Sequence, residues 1–275
     1  MSARAGPSTG IETAAGRAAG RRRLVGRGLA LAAGALVIVW AFASAGALDP
    51  DRYRDALGTL ATLAGDAFPP DFARWRSWGR PLLQTLATSL AGTALAAALA
   101  LPLGVLAARN VGGAGIAGGI RIFLNMLRSI PDLIWGVAFV AAVGFGPLPG
   151  VLALAAHSTG MLGKFYAEIL EHVDPAPGDA LRSHGVSRAG VLRFGVLPQV
   201  LPRLADVTIY RWEHNVRAAT VLGLIGAGGL GVEIVTAFHL FEYREAAALI
   251  LVMLALVTAI NTIGDRIRGG FLGGE

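Results

Sequence analysis

Two sets of polar side chains recur at helical spacing inside apolar sequence, and these are the residues best suited to chemistry. Arg121, Asn125, Arg128, Ser129 and Asp132 return every three or four positions, which puts them on one helical stripe. Asp206, Tyr210, Glu213, Arg217 and Thr220 form a second stripe, with Arg211 and Asn215 beside it. Arginine offers a planar fork of donors that suits the oxygens of a phosphate-like anion. The same residues also read as packing devices, because Arg128–Asp132 and Glu213–Arg217 are i,i+4 pairs able to close as buried ion pairs. An arginine at mid-bilayer costs about 2.5–3.5 kcal/mol even on a lenient insertion scale. Two such stripes therefore face each other or a wet cavity, and Asn125, Arg128, Ser129, Asp132, Tyr210, Arg211, Glu213, Asn215 and Arg217 become candidates to line a translocation path. His157, Ser158, Thr159 and Lys164 are weaker candidates in a neighbouring span.

The bilayer itself is implied by composition. The 275 residues are 54% apolar and 15% charged, against about 25% charged in an ordinary soluble domain, and the mean hydropathy is +0.59. The net charge of +6 does not form one basic face; the arginines stand between apolar blocks, so nucleic acid is not the expected partner. Cysteine is absent, which excludes disulfides, C-x-x-C redox chemistry and thiolate metal sites. The histidines have no metal-ligand spacing, and no metal is expected. No G-x-S-x-G elbow or P-loop is present, so the chain reads as a transport subunit rather than an enzyme.

Six spans are expected, near residues 29–48, 81–108, 122–143, 151–167, 201–224 and 246–263. Residues 1–23 read as a disordered basic tail, 24–48 as the first membrane helix, and 49–80 as an extracytoplasmic segment. In that segment Phe72, Trp75 and Trp78 alternate with Arg74, Arg76 and Arg80, the pattern of an interfacial helix. Residues 81–268 form the core and 269–275 a C-terminal tail. Arginines 17, 21, 22, 23 and 27 precede the first span, so both termini are expected in the cytoplasm of a multi-pass protein of the cell membrane. A cleaved signal peptide ending near Ala43-Ser44-Ala45 is the rival reading of the first apolar run. Pro131 is expected to kink the third span and to serve as a hinge or a packing adjustment. Gly226, Gly228, Gly229 and Gly231 match G-x-G-x-x-G literally, but a membrane span precedes them where a dinucleotide site needs a strand. They are expected instead to allow close backbone approach near an outer gate.

Between the fourth and fifth spans, the segment 168–198 begins with a polar stretch over residues 168–193. Pro175 and Pro177 start a short helix over about 178–184, Gly185 caps it, and Ser187 N-caps the next helix. Here the chain resembles ABC-importer permeases, whose cytoplasmic pattern is Glu-Ala-Ala, three residues, Gly, nine residues, an apolar residue, one residue, Leu-Pro. This sequence reads Asp179-Ala180-Leu181, three residues, Gly185, then Leu197-Pro198, and departs at Asp179, Leu181 and Gly195. Three further runs resemble the permease subunit of phosphonate-type importers: Arg128 to Trp135, Tyr210 to Arg217 and Gly226 to Gly231, together with Gly195 to Pro202. The likeness covers about residues 80–265.

That resemblance implies an all-α, type I ABC importer permease whose short cytoplasmic helix couples to a separate ATPase. It implies two copies of that ATPase using ATP and Mg, no cofactor in this chain, an extracytoplasmic binding protein, and a homodimer around a central path. The implied cargo is a phosphorus oxyanion: phosphonate, phosphate or phosphite. A secondary transporter or channel is the competing class. Such proteins often carry paired repeats with broken helices, and no internal repeat is evident here.

Overall fold

The computed structural model describes residues 14–272, which are helical over most of their length. The chain divides at Gly65 into two compact units. In the first, α1 (Ala14–Ser44) starts about ten residues before the expected span. Residues 14–23 are rich in Ala and Arg, strong helix formers, so the basic stretch extends the helix instead of forming a tail. Residues 1–13 lie outside the described residues. The segment Gly26–Ser44 is apolar and none of it is buried within the chain, leaving Leu36, Trp40 and Phe42 exposed. A bilayer core supplies the cover such a surface needs.

A 3-10 turn at Pro50–Arg52 leads to α2 (Ala56–Ala67), whose last turn contains the division between the units. The interfacial helix expected over residues 72–80 does not form. Asp71 Oδ1 accepts from the Ala73 N–H at 2.8 Å, and consecutive turns run to Trp78. Phe72 and Trp75 are exposed, whereas Trp78 is buried among Leu230, Ala246 and Leu249.

In the second unit, α3 (Gly79–Ala107) lies along α6 (Pro147–Glu171). Small residues permit that approach. A Cβ on Gly92 would come within 2.8 Å of Leu154 Cβ, and one on Gly104 within 2.7 Å of Tyr166 Cβ. On another side of α6, Gly160 and Gly163 admit Leu124 of α4 (Arg109–Ser129). The glycine-rich run 112–119, between the expected second and third spans, belongs to α4 and kinks it at Gly113, where φ is +69°.

The expected third span is two helices. α4 ends at Ser129, α5 (Asp132–Val143) begins after Pro131, and the two meet at 84°. Proline disfavours helical backbone at the residue before it, and Ile130 is accordingly extended (φ −87°, ψ 121°). Beyond α6 come α7 (Ala176–Ser183), α8 (Arg188–Val191) and one π turn (Leu192–Val196), which runs directly into α9 (Leu197–Gly223). An unforeseen short helix, α10 (Leu230–His239), precedes α11 (Tyr243–Leu272), which absorbs most of the expected C-terminal tail.

By length and apolar composition, α1, α3 and α11 suffice to cross a membrane, as does the α4–α5 pair if counted as one bent span. The 25 residues of α6 and 27 of α9 reach about 38 and 40 Å at 1.5 Å per residue. They are less apolar because each turns polar side chains into the interior: Ser158 and Thr159 from α6; Arg211, Glu213 and Asn215 from α9.

Candidate functional site

α9 distributes its polar residues over three surroundings. Toward α3 and α6 lies a closed network. Arg211 Nε donates to Ser158 Oγ at 2.8 Å, and Asn215 Nδ2 donates to Thr93 Oγ1 at 2.8 Å and to Ser158 Oγ at 3.0 Å. Ser158 returns its hydroxyl proton to Asn215 Oδ1 at 3.1 Å. Asn215, Ser158 and Thr93 are buried, and Arg211 is 5% exposed. Arg211 Nη2 is buried with no hydrogen-bond partner.

Toward α11, the Glu213 carboxylate accepts from Arg268 Nη1, and Asp206 lies 3.8 Å from Arg268 Nε. Gly264 is required here, because any Cβ would overlap the Glu213 carboxylate. The i,i+4 ion pairs anticipated within α4–α5 and within α9 do not form. Arg217 is exposed and makes one long bond, 3.5 Å, to Asn261 Oδ1, while Glu213 faces the opposite partner. Arg128 bonds Asn125 Oδ1 at 3.0 Å on its own helix, because the break at Pro131 puts Asp132 on another helix. Ser129 donates to Asn125 O at 2.7 Å. Asn125, Ser129 and Tyr210 are exposed.

The third surrounding is an open cavity of about 270 Å³ whose lining includes Asp132, Leu133, His214, Arg217 and Val221. His157 Nδ1 lies 3.2 Å from Asp132 Oδ1 and 3.0 Å from Ile130 O. No hydrogen bond of good geometry reaches Asp132 Oδ1, which is buried. Trp135 Nε1 donates back across the bend to Leu127 O at 3.1 Å and braces it. Of the nine candidate path residues, the structure brings Asp132 and Arg217 to this cavity. Arg211 and Asn215 form the wall network behind, and Glu213 belongs to the α9–α11 clasp.

Sequence reasoning gave too little weight to His157, His214, Thr93 and Arg268. Thr93 carried a usable signal, a hydroxyl among alanines at helical spacing from Thr85, Ser89 and Ala96. Arg268 lay beyond the last apolar run, and only three-dimensional packing brings it to Glu213.

The α7 segment has the expected form. Its helix starts two residues earlier than expected, and Gly185 follows with φ +77°, a left-handed conformation that side chains rarely adopt. The Gly185 N–H bonds Arg182 O at 3.0 Å and the Val186 N–H bonds Leu181 O at 3.1 Å. Asp179, Ala180, Arg182 and His184 are exposed, whereas Leu181 is half-buried against Gly195. Gly195, where the resemblance expects an apolar residue, rests on Gly178: a Cβ there would be 3.1 Å from Gly178 Cα. Two glycines in contact replace a side chain packed into that junction. Leu197 and Pro198 open α9, and Pro198 is exposed.

At the far end of α9, Gly226, Gly228 and Gly229 have φ of +87°, +81° and +76° and form the turn into α10. The Gly229 N–H donates to Gln84 Oε1 at 3.2 Å and the Leu230 N–H to Thr85 Oγ1 at 2.9 Å. Gly231 packs on Gly223 and Thr220. The described residues around this turn are helical, without the strand of a dinucleotide site.

A broken helix, a buried polar wall and a charged cavity among apolar helices define a membrane transport subunit. Residues 100–271 match the family model described as "Binding-protein-dependent transport system inner membrane component", and the chain belongs to that family. It is 52% identical over 227 residues, 82% of each chain, to the phosphite transport system permease protein PtxC of Stutzerimonas stutzeri. It is 37% identical over 228 residues to the phosphate-import permease protein PhnE of Mycolicibacterium smegmatis, covering 82% of this chain and 43% of that one. In fold it resembles the MetNI methionine ABC transporter in inward-facing conformations, with TM-score 0.61, 23% identity and coverage of 70% of this chain and 95% of that one. Membership makes the chain a multi-pass inner-membrane component of a binding-protein-dependent transport system. The expected homodimer gains no support, since a pair of unlike permease chains agrees equally with these relatives.

Proposed function

We propose that this chain is the permease subunit of an ATP-driven importer that receives a phosphorus oxyanion from an external binding protein and passes it to the cytoplasm by alternating access. The observation that carries this reading is the 52% identity to a phosphite permease across 82% of both chains. The arginine-bearing cavity supplies chemistry suited to such an anion. Phosphite comes first among the cargoes, followed by phosphate and phosphonate.

In this reading α7 lies on the cytoplasmic side, as do both termini, and inserts Asp179, Ala180 and Arg182 into a groove of the ATPase, which binds ATP and Mg. Leu197 and Pro198 carry the movement into α9, and the glycines at 226–231 and the break at Pro131 take up the change of shape. A second permease chain, a copy of this one or a relative, completes the path. A channel or secondary transporter would have no use for an exposed short helix fixed by a left-handed glycine.

The test is uptake of radiolabelled phosphite, phosphate and methylphosphonate by cells with and without the gene, after other phosphorus importers are removed. Loss of phosphite uptake on deletion, and its absence in cells carrying Gly185→Trp, are expected. Uptake that persists without the chain, or that ignores ATP depletion, would refute the proposal.

A further inference from the structure

The cavity between α5 and α9 holds an unusual pairing for an anion path. Arg217 lines it and is held only by one long bond to Asn261. Arg211 stands within electrostatic reach of Asp132, with Nη2 unbonded. His157 and His214 stand beside them. An acceptor-only carboxylate, Asp132, stands on the same wall. Among the described residues no hydrogen bond of good geometry reaches its buried Oδ1, and His157 Nδ1, 3.2 Å from that oxygen, has a nearer acceptor in Ile130 O.

A fully ionised anion such as sulfate would gain from the arginines but meet the negative Asp132 with no proton to offer. An oxyanion that keeps a proton near neutral pH can do both: its charged oxygens accept from Arg217 while its hydroxyl donates to Asp132. We infer that Asp132 and Arg217 form a site within one permease chain that selects protonated phosphorus oxyanions over sulfate, with Asp132 as the residue that reads the ligand's proton. This deepens the proposed function and rests on it. It also gives the membrane subunit a selectivity of its own, separate from that of the binding protein. A site built around one ligand hydroxyl can reject the analogue lacking it by a large factor, because its polar group is left unpaired.

The test uses the permease–ATPase complex in nanodiscs without binding protein, measuring equilibrium binding of radiolabelled phosphite and sulfate in mildly acidic buffer, where phosphite retains a hydroxyl and sulfate does not. The wild-type complex is expected to prefer phosphite by at least about a hundredfold, within the range such sites reach. Asp132→Asn should bring that ratio below about tenfold by admitting sulfate, since the amide can donate, and Arg217→Gln should weaken both anions. Equal binding of the two anions by the wild type overturns the inference without any variant having to fold. So does a ratio unchanged in a well-assembled Asp132→Asn complex, or the absence of phosphite binding. Persistent phosphite uptake by cells in those cases would leave the transport reading standing and remove only this site. Failure of the uptake experiment itself would remove the transport reading.

Discussion

Ser158→Ala tests whether the buried network on α9 holds the helices together. Ser158 accepts from Arg211 Nε and Asn215 Nδ2 and donates to Asn215 Oδ1, at 2.8, 3.0 and 3.1 Å. Removing the hydroxyl strips a buried guanidinium of its one bonded nitrogen, since Nη2 already lacks a partner. A hydrogen bond to a charged group contributes about 1.5–3 kcal/mol. The Asn215 bonds add about 0.6 kcal/mol each on the scale measured between membrane helices, and Asn215 keeps Thr93 as a partner. The expected loss is about 3–4 kcal/mol. Reversible SDS titration in mixed micelles reads it, with Ser129→Ala as control. Ser129 is exposed and bonds only a carbonyl of its own helix, so its variant should stay within about 0.5 kcal/mol. A Ser158→Ala loss no larger than the control's would show that the network does not hold α6 to α9.

Three further outcomes follow from the geometry. Arg268→Ala leaves the buried Glu213 carboxylate without its main partner and should cost about 3–5 kcal/mol, recovered in large part by adding Glu213→Gln, as a double-mutant cycle in SDS titration would measure. Gly185→Leu forces a side chain into a left-handed backbone at +77° with open space around it; about 1–2 kcal/mol of turn strain should reduce co-purification of the ATPase while the permease still expresses. Glu171, past the apolar part of α6, is held below the usual carboxylate range mainly by the Arg109 N–H, with Arg121 adding to the effect. Its contribution is therefore present at neutral pH and lost as the pH falls through that lowered value, so wild type and Glu171→Gln should differ in melting temperature at pH 7 and converge in acid.

The apolar blocks, the short α7 helix and its glycine cap were legible because each depends on residues close together in sequence. Ser187 does cap α8, accepting from the Gly190 N–H at 3.3 Å, as its type and position suggest. Helical spacing also found the polar stripe on α9, but spacing cannot say which neighbour each residue meets. Asp206 and Glu213 meet α11, Arg211 and Asn215 meet α3 and α6, and Arg217 meets the cavity. The expected ion pairs failed for the same reason: a long-range partner, Arg268, outcompeted Arg217, and a proline break separated Arg128 from Asp132. The turn at 72–78 misled because aromatic and arginine residues suit an interface whether or not they form a helix, and the Asp71 side chain favours the turn.

The junction between α7 and α9 offers a route by which a small surface helix would act on the cavity. Gly178 and Gly195 meet backbone to backbone, with Leu181 and Val191 packed beside them, so the closest contact between the two elements does not pass through a side chain. Gln199 clasps both sides, donating to Asp174 O at 3.2 Å and Gly195 O at 2.7 Å while accepting from the Asp174 N–H at 3.1 Å. From Leu197 the backbone is one continuous helix to Gly223, and both of its polar flanks are fastened, to α6 through Ser158 and to α11 through Arg268. α5 is attached differently: against α9, Gly136 meets the apolar ends of Leu222 and Ile225, while toward α6 its first residue Asp132 and the preceding Ile130 lie against His157. Apolar contacts slide at lower cost than charged hydrogen bonds break. If α7 is driven as proposed, α9 is expected to move with α6 and α11, and the apolar contact of α9 with α5 is the boundary that resists least. Asp132 and Arg217 both line the cavity at that boundary, so driving the surface helix is expected to change the cavity's shape.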